Sequence, residues 1–199
     1  MEGCEGVGKS TQIALLKEMF AGSGNVLFLR EPGGTAISER IRSVILDIQN
    51  KGMSAVCEVL LYSAARAQLV EEVIKPALAE GKTVFCDRFT DSTFAYQGCA
   101  RGLGAEAVER LNEIACAGLE PDLTIFFDLD PAAAFLRKGG ADGEDRLEQE
   151  GMDFHRRVYA GYKLAAERYA RRIVCVPAGG DIADVHERVV KALKERGVI

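Results

Sequence analysis

The chain has 199 residues, of which 48% are hydrophobic and 28% are charged, and its formal net charge is −5. This length fits one domain with a substantial core, and the mildly acidic balance gives no support for broad binding to nucleic acid or to an anionic membrane. Because the sequence has no apolar run near the ~20 residues of a membrane span and no signal-peptide pattern, we expect a cytoplasmic protein without a membrane partner.

The first element is the glycine-rich segment at residues 3–10, GCEGVGKS, which matches the P-loop pattern G-x-x-x-x-G-K-S. Its glycines let successive N–H groups turn inward, so that these donors and the next helix start can bind phosphate oxygens. Lys9 would reach the β- and γ-phosphates of a nucleotide, and Ser10 would be a ligand of Mg²⁺. The alternative is a turn that only caps a helix. The predicted phosphate-binding residues are Gly3, Cys4, Glu5, Gly6, Val7, Gly8, Lys9, Ser10 and Thr11.

The strand that normally precedes a P-loop is not evident, because only Met1 and Glu2 come before Gly3. In the doubly wound P-loop architecture this first strand lies at the centre of the sheet. We therefore expect a first strand that is missing or truncated, either because the native chain begins upstream or because its start site is placed too late. A chain that truly began at Met1 is expected to fold poorly.

The rest of the chain alternates short apolar runs with longer helical patterns. The apolar runs, typical of strands covered on both faces, lie at residues 25–30, 83–87, 123–129 and 173–176. Helical spacing occurs at residues 11–20, 37–48, 54–80, 105–117, 154–171 and 182–194. This alternation predicts a parallel sheet with right-handed crossovers and flanking helices. Since no repeat or linker interrupts it, we predict one α/β domain over residues 1–199.

The cysteines give no signature of a metal site or a redox pair, because no two have C-x-x-C spacing. Most lie within apolar runs, so we predict reduced and mainly buried thiols. They are Cys4, Cys57, Cys86, Cys99, Cys116 and Cys175.

Five further motifs narrow the function. They are REPGGT at residues 30–35, LLYSAAR at 60–66, DRF at 87–89, STFAYQG at 92–98 and DRLE at 145–148. With the P-loop, and in this order, they resemble bacterial thymidylate kinases, which are P-loop nucleoside monophosphate kinases. The resemblance covers the chain from Gly3 onward. It implies a three-layer P-loop NTPase fold with strand order 2-3-1-4-5 and a homodimer. The apolar helical region at residues 56–73 is a candidate surface for the dimer, and burial in the core is the equal alternative.

Asp87 and Arg88 end a predicted strand, and ligands of open α/β sheets bind at the carboxyl ends of strands. The planar fork of Arg88 suits a phosphate and could bridge an acceptor and a donor. The resemblance implies the same contact with a monophosphate. Asp87 could hold a water on Mg²⁺. A surface ion pair at the strand end is the alternative for both residues.

Tyr62 and Arg66 are four residues apart and share a helix face. The ring could stack on a base and the guanidinium could donate to a base carbonyl, although a tyrosine in this pattern, taken alone, is more often a core residue. The resemblance favours base binding, with Tyr62 where the family usually has Phe. It implies that Thr93 hydrogen-bonds the pyrimidine and that Tyr96 fills the space of a ribose 2′-hydroxyl. Gln97 lies four residues after Thr93 and is predicted to bind substrate, but both could simply cap a helix.

The resemblance assigns further substrate contacts to Glu5, Arg30 and Pro32. Glu5 would contact the sugar 3′-hydroxyl or a Mg²⁺-bound water, and the segment with Arg30 and Pro32 would lie against the sugar and the base. Taken alone, Pro32 could mark only a tight turn.

Residues 137–150 are dense in glycine and charge, which favours a mobile lid between two helices. A lid would exclude water and bring cations to the transferring phosphoryl group; a solvated loop is the alternative. Gly6 occupies the P-loop position where one subgroup of the family has a basic residue, so the resemblance implies that the lid supplies the cation. The candidates are Arg137, Lys138 and Arg146.

Together these features predict phosphorylation of dTMP to dTDP by ATP and Mg²⁺, in dTTP synthesis, with Lys9, Arg88, Asp87 and a lid cation as the catalytic groups. Two alternatives stay open. One is a kinase for another nucleotide or nucleoside, and the other is a degenerate nucleotide-binding P-loop module, favoured by the absent first strand and the arginine-poor lid. A GTPase is disfavoured because the sequence has no Asn-Lys-x-Asp motif.

Overall fold

The computed structural model describes residues 1–137 and 145–199, so that Lys138 and the centre of the predicted lid lie outside the described residues. The strands are β1 (Val26–Arg30), β2 (Thr83–Asp87), β3 (Thr124–Asp128) and β4 (Ile173–Pro177). The helices are α1 (Lys9–Met19), α2 (Ala36–Leu46), α3 (Ala55–Leu69), α4 (Lys75–Ala79), α5 (Thr90–Thr93), α6 (Ala105–Cys116), α7 (Pro131–Arg137), α8 (Met152–Arg168) and α9 (Ile182–Glu195). A 3₁₀ turn spans Ile48–Asn50, and π-helical segments span Val70–Ile74 and Phe94–Ala100. Across the described ranges, no helix is long and apolar enough to cross a membrane.

The strands form two parallel pairs. Val26 of β1 lies opposite Thr83 of β2, and Thr124 of β3 lies opposite Ile173 of β4. Between the pairs, the amino-terminal parts of β2 and β3 line an apolar cleft of about 410 Å³.

Met1 and Glu2 lie between β2 and β3 and connect the two pairs. The Met1 nitrogen donates to Cys86 O at 2.9 Å. On the other side, the Glu2 nitrogen donates to Ile125 O at 2.8 Å, and the Phe127 nitrogen donates to Glu2 O at 2.9 Å. The order across the molecule is therefore β1, β2, Met1–Glu2, β3, β4. This is the predicted order 2-3-1-4-5, with two residues in the position of strand 1.

The core is centred on β3, whose residues Ile125, Phe126 and Phe127 are at most 2% exposed. This burial reflects the helices on both faces of the sheet. Phe126 stacks on Tyr162 of α8, with ring centroids 5.2 Å apart. The packed sheet gives a firm base to the loops at its carboxyl edge.

Helix α8 packs closely on the π-helical segment Phe94–Ala100 at Gly161. A Cβ atom at Gly161 would lie 2.9 Å from both Ala95 Cα and Cys99 Cβ. We expect Gly161→Ala to lower the free energy of unfolding by about 1–2 kcal/mol, because overpacking outweighs the better helix propensity of alanine. Urea denaturation measures this change. Gly24→Ala is the control, since its Cβ would meet nothing within 4 Å, and equal losses in the two variants would contradict the prediction.

Candidate active site

A cleft of about 470 Å³ lies where the P-loop meets the carboxyl ends of β1 and β2, α3 and the π-helical segment Phe94–Ala100. Ligands of open α/β sheets bind at this edge. The predicted site residues that line it are Glu5, Gly6, Val7, Gly8, Lys9, Ser10, Thr11, Arg30, Pro32, Tyr62, Asp87, Arg88, Thr93, Tyr96 and Gln97. Three other predicted residues lie behind the cleft and form hydrogen bonds with residues that line it. Gly3 and Cys4 accept from Lys9, and Arg66 donates to Thr93.

The P-loop places a lysine ammonium at the start of a helix. Gly8 is the N-cap of α1 and has a φ of 95°, a left-handed conformation that glycine adopts without steric cost. The Nζ of Lys9 donates to Gly3 O at 2.9 Å and to Cys4 O at 2.8 Å. Burial and the nearby Arg88 lower the pKa of Lys9. An anion bound here would offset the repulsion between Lys9 and Arg88. It would also accept hydrogen bonds from the N–H groups at the N-terminus of α1.

Arg88 lies at the junction between the P-loop and the segment that follows β2. Its φ of 68° falls in the left-handed region, which is uncommon for a residue with a Cβ atom. Its Nη1 donates to Gly3 O at 3.1 Å, and its Nη2 pairs with Glu5. The guanidinium also lies 5.3 Å from the centre of the Tyr96 ring. A planar cation is thus held between the phosphate loop and the residues predicted to contact the acceptor.

Three buried polar atoms on residues that line the cleft have no hydrogen-bond partner within residues 1–137 and 145–199. They are Asp87 Oδ1, Tyr96 Oη and Glu31 Oε1. Buried polar groups without partners are rare because each one costs desolvation free energy. A polar ligand, an ion or ordered water in the cleft would supply the missing partners.

Arg66 of α3 is buried behind the cleft and binds Thr93, which lines it. Its Nε donates to Glu31 Oε2 at 2.7 Å, and its Nη1 donates to Thr93 Oγ1 and to Asn112 Oδ1, both at 2.8 Å. Its Nη2 donates to Phe89 O at 2.9 Å. Since Thr93 Oγ1 accepts this bond, its own proton is available to a ligand. Burial raises the pKa of Glu31 to about 7, and Arg66 opposes that shift.

A buried carboxylate orients Gln97. The Gln97 Nε2 donates to Glu58 Oε1 at 2.8 Å, and Glu58 is 0% exposed. Glu58 Oε2 also lies 3.1 Å from Arg101 Nη2 and 2.6 Å from Arg146 Nη2. The amide oxygen of Gln97 is left for other contacts at the cleft.

The two described lid arginines do not line the cleft. Arg137 Nη1 donates to Ala178 O at 2.7 Å, in the loop after β4. Arg146 is 5% exposed, and its Nε donates to Ile45 O at 3.0 Å while Glu58 binds its other edge. Protein groups thus bind both guanidiniums: a backbone carbonyl binds Arg137, and a backbone carbonyl and a buried carboxylate bind Arg146.

Arg30 lines the cleft, but its guanidinium is turned towards α2. Its Nη2 lies 3.1 Å and 3.0 Å from the two carboxylate oxygens of Glu39, and its Nη1 donates to Pro32 O at 3.0 Å. Arg42 of α2 donates to the same Pro32 carbonyl at 2.9 Å and lines the cleft as well. The peptide bond between Glu31 and Pro32 is cis.

Sequence reasoning missed several residues that shape the site. They are Glu2, Glu31, Arg42, Glu58, Ser92 and Tyr162. Glu31 and Ser92 fall inside the motifs REPGGT and STFAYQG, so their positions offered a signal. The others lie outside the P-loop and those motifs, and only their contacts identify them.

Comparisons with known proteins identify the family. The family model described as Thymidylate kinase matches residues 1–189. A thymidylate kinase of Thermoanaerobacter sp. (strain X514) is 46% identical over 195 residues, which cover 98% of this chain and 95% of that protein. A thymidylate kinase of Finegoldia magna is 47% identical over 201 residues, which cover 100% of this chain and 98% of that protein.

A solved structure is similar along nearly the whole chain. The crystal structure of thymidylate kinase from Ehrlichia chaffeensis gives a TM-score of 0.78 at 33% identity, and covers 97% of this chain and 95% of that one. The sequence match, the shared fold and a cleft that combines a P-loop with Arg88 lead to one conclusion. The chain belongs to the thymidylate kinase family and is an ATP-dependent nucleoside monophosphate kinase that phosphorylates dTMP to dTDP.

Proposed function

We propose that the cleft binds the phosphates of ATP on the P-loop and the 5′-phosphate of dTMP on Arg88, so that the γ-phosphoryl group passes between them. One observation carries the proposal. Arg88 contacts the P-loop through Gly3 and Glu5 and also lies over Tyr96 of the acceptor side. A cation in that position can neutralise charge on both phosphates.

The chemistry requires positioning and charge more than proton transfer. Phosphoryl transfer passes through a loose transition state with charge on its equatorial oxygens. Lys9 and the N-terminus of α1 would stabilise this charge from the donor side and Arg88 from the acceptor side. No general base is needed, because a monophosphate oxygen is already a competent nucleophile.

Mg²⁺ would be held by Ser10 and Asp87 together with ATP. Ser10 is an exposed hydroxyl at the start of α1, and Asp87 has a buried oxygen without a hydrogen-bond partner elsewhere in the described chain. These groups fit a hard cation that prefers oxygen ligands and retains waters. Across residues 1–137 and 145–199 no group of three or more His, Cys, Asp or Glu side chains could hold a metal. The ion would therefore take its other ligands from phosphates and water, and would supply charge neutralisation there.

The acceptor base and sugar would occupy the part of the cleft beyond Arg88. The ring of Tyr62 lines the cleft and would stack on a base. Thr93 and Gln97 would contact the edge of the base, and Arg66 would act through its bond to Thr93. Tyr96 has a buried hydroxyl without a partner among the described residues, which supports a contact with a bound sugar. Glu5, Arg30 and Pro32 are proposed to complete the sugar side, with Arg30 acting through its bond to the Pro32 carbonyl.

A coupled assay with ATP and five acceptors tests these substrate contacts. The panel is dTMP, dUMP, UMP, CMP and AMP, each at saturating ATP and Mg²⁺. We expect dTMP to give the highest kcat/KM, because Thr93, held by Arg66, offers its hydroxyl proton to the base and Tyr96 limits space at the sugar. A higher kcat/KM for any other acceptor would overturn this reading of the base and sugar sites.

The lid remains a proposal at residues 137–150. Arg137 and Lys138 are the proposed lid cations. Arg137 is exposed and would have to release Ala178 O to approach the transferring group, whereas Arg146 is buried against Glu58. The six cysteines are free thiols, and this supports a location in the reducing cytoplasm.

We further propose a homodimer through one face of α3. The predicted surface at residues 56–73 divides into a buried face and an exposed face, and Val56 and Leu60 on the latter are 56% and 51% exposed. Ala64 extends this row by one more turn and is also exposed. An apolar stripe of this kind is typical of a subunit interface.

Leu60→Glu is expected to convert the dimer into a monomer, because a charge would be buried at the centre of the stripe. Analytical ultracentrifugation measures the change in molecular mass. Leu164→Glu is the matched control, since Leu164 of α8 is 48% exposed and lies outside the stripe. A monomeric parent protein, or a Leu60→Glu dimer as stable as the parent, would refute the proposed interface.

A further inference from the structure

One side of the Arg88 guanidinium is anchored in a buried network that runs away from the cleft. Its Nη1 lies 3.0 Å from Tyr162 Oη and 3.2 Å from Ser92 Oγ, as well as 3.1 Å from Gly3 O. Its Nη2 contacts Glu5 at the P-loop. The two nitrogens thus face different surroundings, one an interior network and the other the phosphate side of the cleft.

The network ends at Glu2, a carboxylate that is 1% exposed. Glu2 Oε2 accepts from Ser92 Oγ at 2.6 Å and from Tyr162 Oη at 2.9 Å. Glu2 Oε1 accepts from the backbone nitrogens of Phe89 and Ser92, at 2.7 Å and 3.2 Å. These last bonds tie the backbone directly after Arg88 to the same carboxylate.

The chemistry of the end groups limits the direction of these hydrogen bonds. A carboxylate only accepts and a guanidinium only donates. The hydroxyls of Ser92 and Tyr162 therefore accept from Arg88, and because they also lie 2.8 Å apart, each donates its proton either to Glu2 or to the other hydroxyl. Such chains strengthen each member in a low-dielectric interior. The arrangement makes the Tyr162 and Ser92 oxygens better acceptors for Nη1 than isolated hydroxyls would be.

We propose that Tyr162 is a positioning residue for the acceptor phosphate: its hydroxyl, backed by Glu2, holds the Nη1 side of Arg88, so that the Nη2 side, which also pairs with Glu5, faces the phosphate. The inference rests on the proposed role of Arg88. It adds a residue from α8 that lies 74 positions away in the chain. Tyr162 does not line the cleft itself, so its effect on the ligand passes through Arg88.

The ring of Tyr162 is held independently of its hydroxyl. It stacks on Phe126 with an interplanar angle of 19° and meets the edge of Tyr96 at a centroid distance of 6.2 Å. Tyr162→Phe keeps these contacts and deletes only the oxygen. Ser92 and Gly3 remain as acceptors for Nη1, so the guanidinium loses part of its anchor and gains freedom to move.

Titration calorimetry with dTMP and with thymidine separates this role from a structural one. We expect Tyr162→Phe to weaken dTMP binding about 10-fold, because hydrogen bonds to charged groups are the stronger ones. Thymidine lacks the phosphate, so its Kd should change less than about 2-fold. Tyr159→Phe is the matched control: it removes a hydroxyl on the same helix that donates to Asp128 at 2.6 Å. It should leave both affinities unchanged.

A double-mutant cycle with Arg88→Ala tests whether Tyr162 acts on dTMP binding through Arg88. Once Arg88 is absent, adding Tyr162→Phe should cause no further loss of dTMP affinity. An unchanged dTMP Kd in Tyr162→Phe, equal losses for dTMP and thymidine, or additive losses in the double variant would each overturn the inference. If Arg88→Ala itself binds dTMP normally, the proposed role of Arg88 fails first, and that result is distinct from a failure at Tyr162.

Discussion

Arg88→Ala is expected to lower kcat/KM for dTMP by about 10³-fold, the lower end of the range for a transition-state arginine in phosphoryl transfer. The side chain bridges the P-loop and the acceptor side, through Gly3 O at 3.1 Å and through the Tyr96 ring at 5.3 Å. Removing it takes away a charge that both phosphates would contact, together with the planar fork that fixes their geometry. A coupled assay of dTDP formation with varied dTMP measures the loss.

The fold should survive this substitution. Arg88 has a 17% exposed side chain, and its neighbours Ser92, Tyr162 and Gly3 retain bonds to one another or to Glu2 and Lys9. The far-ultraviolet circular dichroism spectrum should therefore match that of the parent.

Two further variants sharpen the assignment of Arg88. Arg88→Lys keeps the charge without the fork and should fall between Ala and the parent. Arg168→Ala is the control, because it removes an arginine that pairs with Glu109 on the surface, away from the cleft. If Arg88→Ala keeps kcat/KM within 10-fold of the parent, or Arg168→Ala loses as much, the assignment of Arg88 is wrong.

Glu58→Ala is expected to destabilise the protein by about 3–5 kcal/mol, the cost of leaving a buried ion pair without one partner. Glu58 is 0% exposed and binds Arg101 and Arg146 as well as Gln97. Removing the carboxylate leaves Arg146, which is 5% exposed, without its Glu58 partner. Urea denaturation with linear extrapolation measures the free energy of unfolding.

The pH dependence of the free energy of unfolding should also reflect the titration of Glu58. Burial by itself would raise the pKa of Glu58, but bonds from Arg101 and Gln97 and the charge of Arg101 outweigh it, and the net pKa lies below its usual value of 4.5. A depressed carboxylate pKa stabilises the fold above the unfolded value, and this stability is lost as pH falls through the folded pKa. Glu58→Ala should therefore have a smaller difference in stability between pH 7 and acid than the parent.

Glu71→Ala is the matched control for Glu58→Ala, since Glu71 pairs with Lys75 on the surface and is 62% exposed. It should change the free energy of unfolding by less than about 1 kcal/mol. The double variant Glu58→Met/Arg146→Met should recover part of the loss, because it removes both charges of one pair. A Glu58→Ala loss no larger than that of Glu71→Ala would contradict a stabilising role of this cluster.

Glu58 and its partners Gln97, Arg101 and Arg146 also bear on the predicted catalytic role of the lid arginines. The motif DRLE predicts a catalytic cation at Arg146, but the structure places that guanidinium on Glu58 and on Ile45 O. Arg137 likewise binds Ala178 O in the loop after β4. Neither position follows from the local sequence, because the partners come from elements 41 to 101 positions away.

The features that depend on a few adjacent residues are predictable from the amino-acid sequence. Gly8 must have a positive φ for the P-loop to close, and Lys9 and Ser10 then follow at the start of α1. Apolar runs bounded by turns located β1 to β4, because parallel strands covered by helices carry few polar residues, although only β3 is buried along most of its length. Asp87 and Arg88 were recognisable because they end such a strand, and the family match confirms the fold and the reaction that these motifs predicted.

The contacts between side chains that are distant in the sequence are visible only in the tertiary structure. Glu2 meets Tyr162 across 160 positions, and Arg66 meets Glu31 across 35, because the sheet order and the packing of α3 and α8 bring them together. Met1 and Glu2 likewise join the two strand pairs only through bonds to β2 and β3. Local spacing fixes backbone conformation within a turn or a strand, whereas long-range contacts depend on how complete elements pack, and no short motif contains that information.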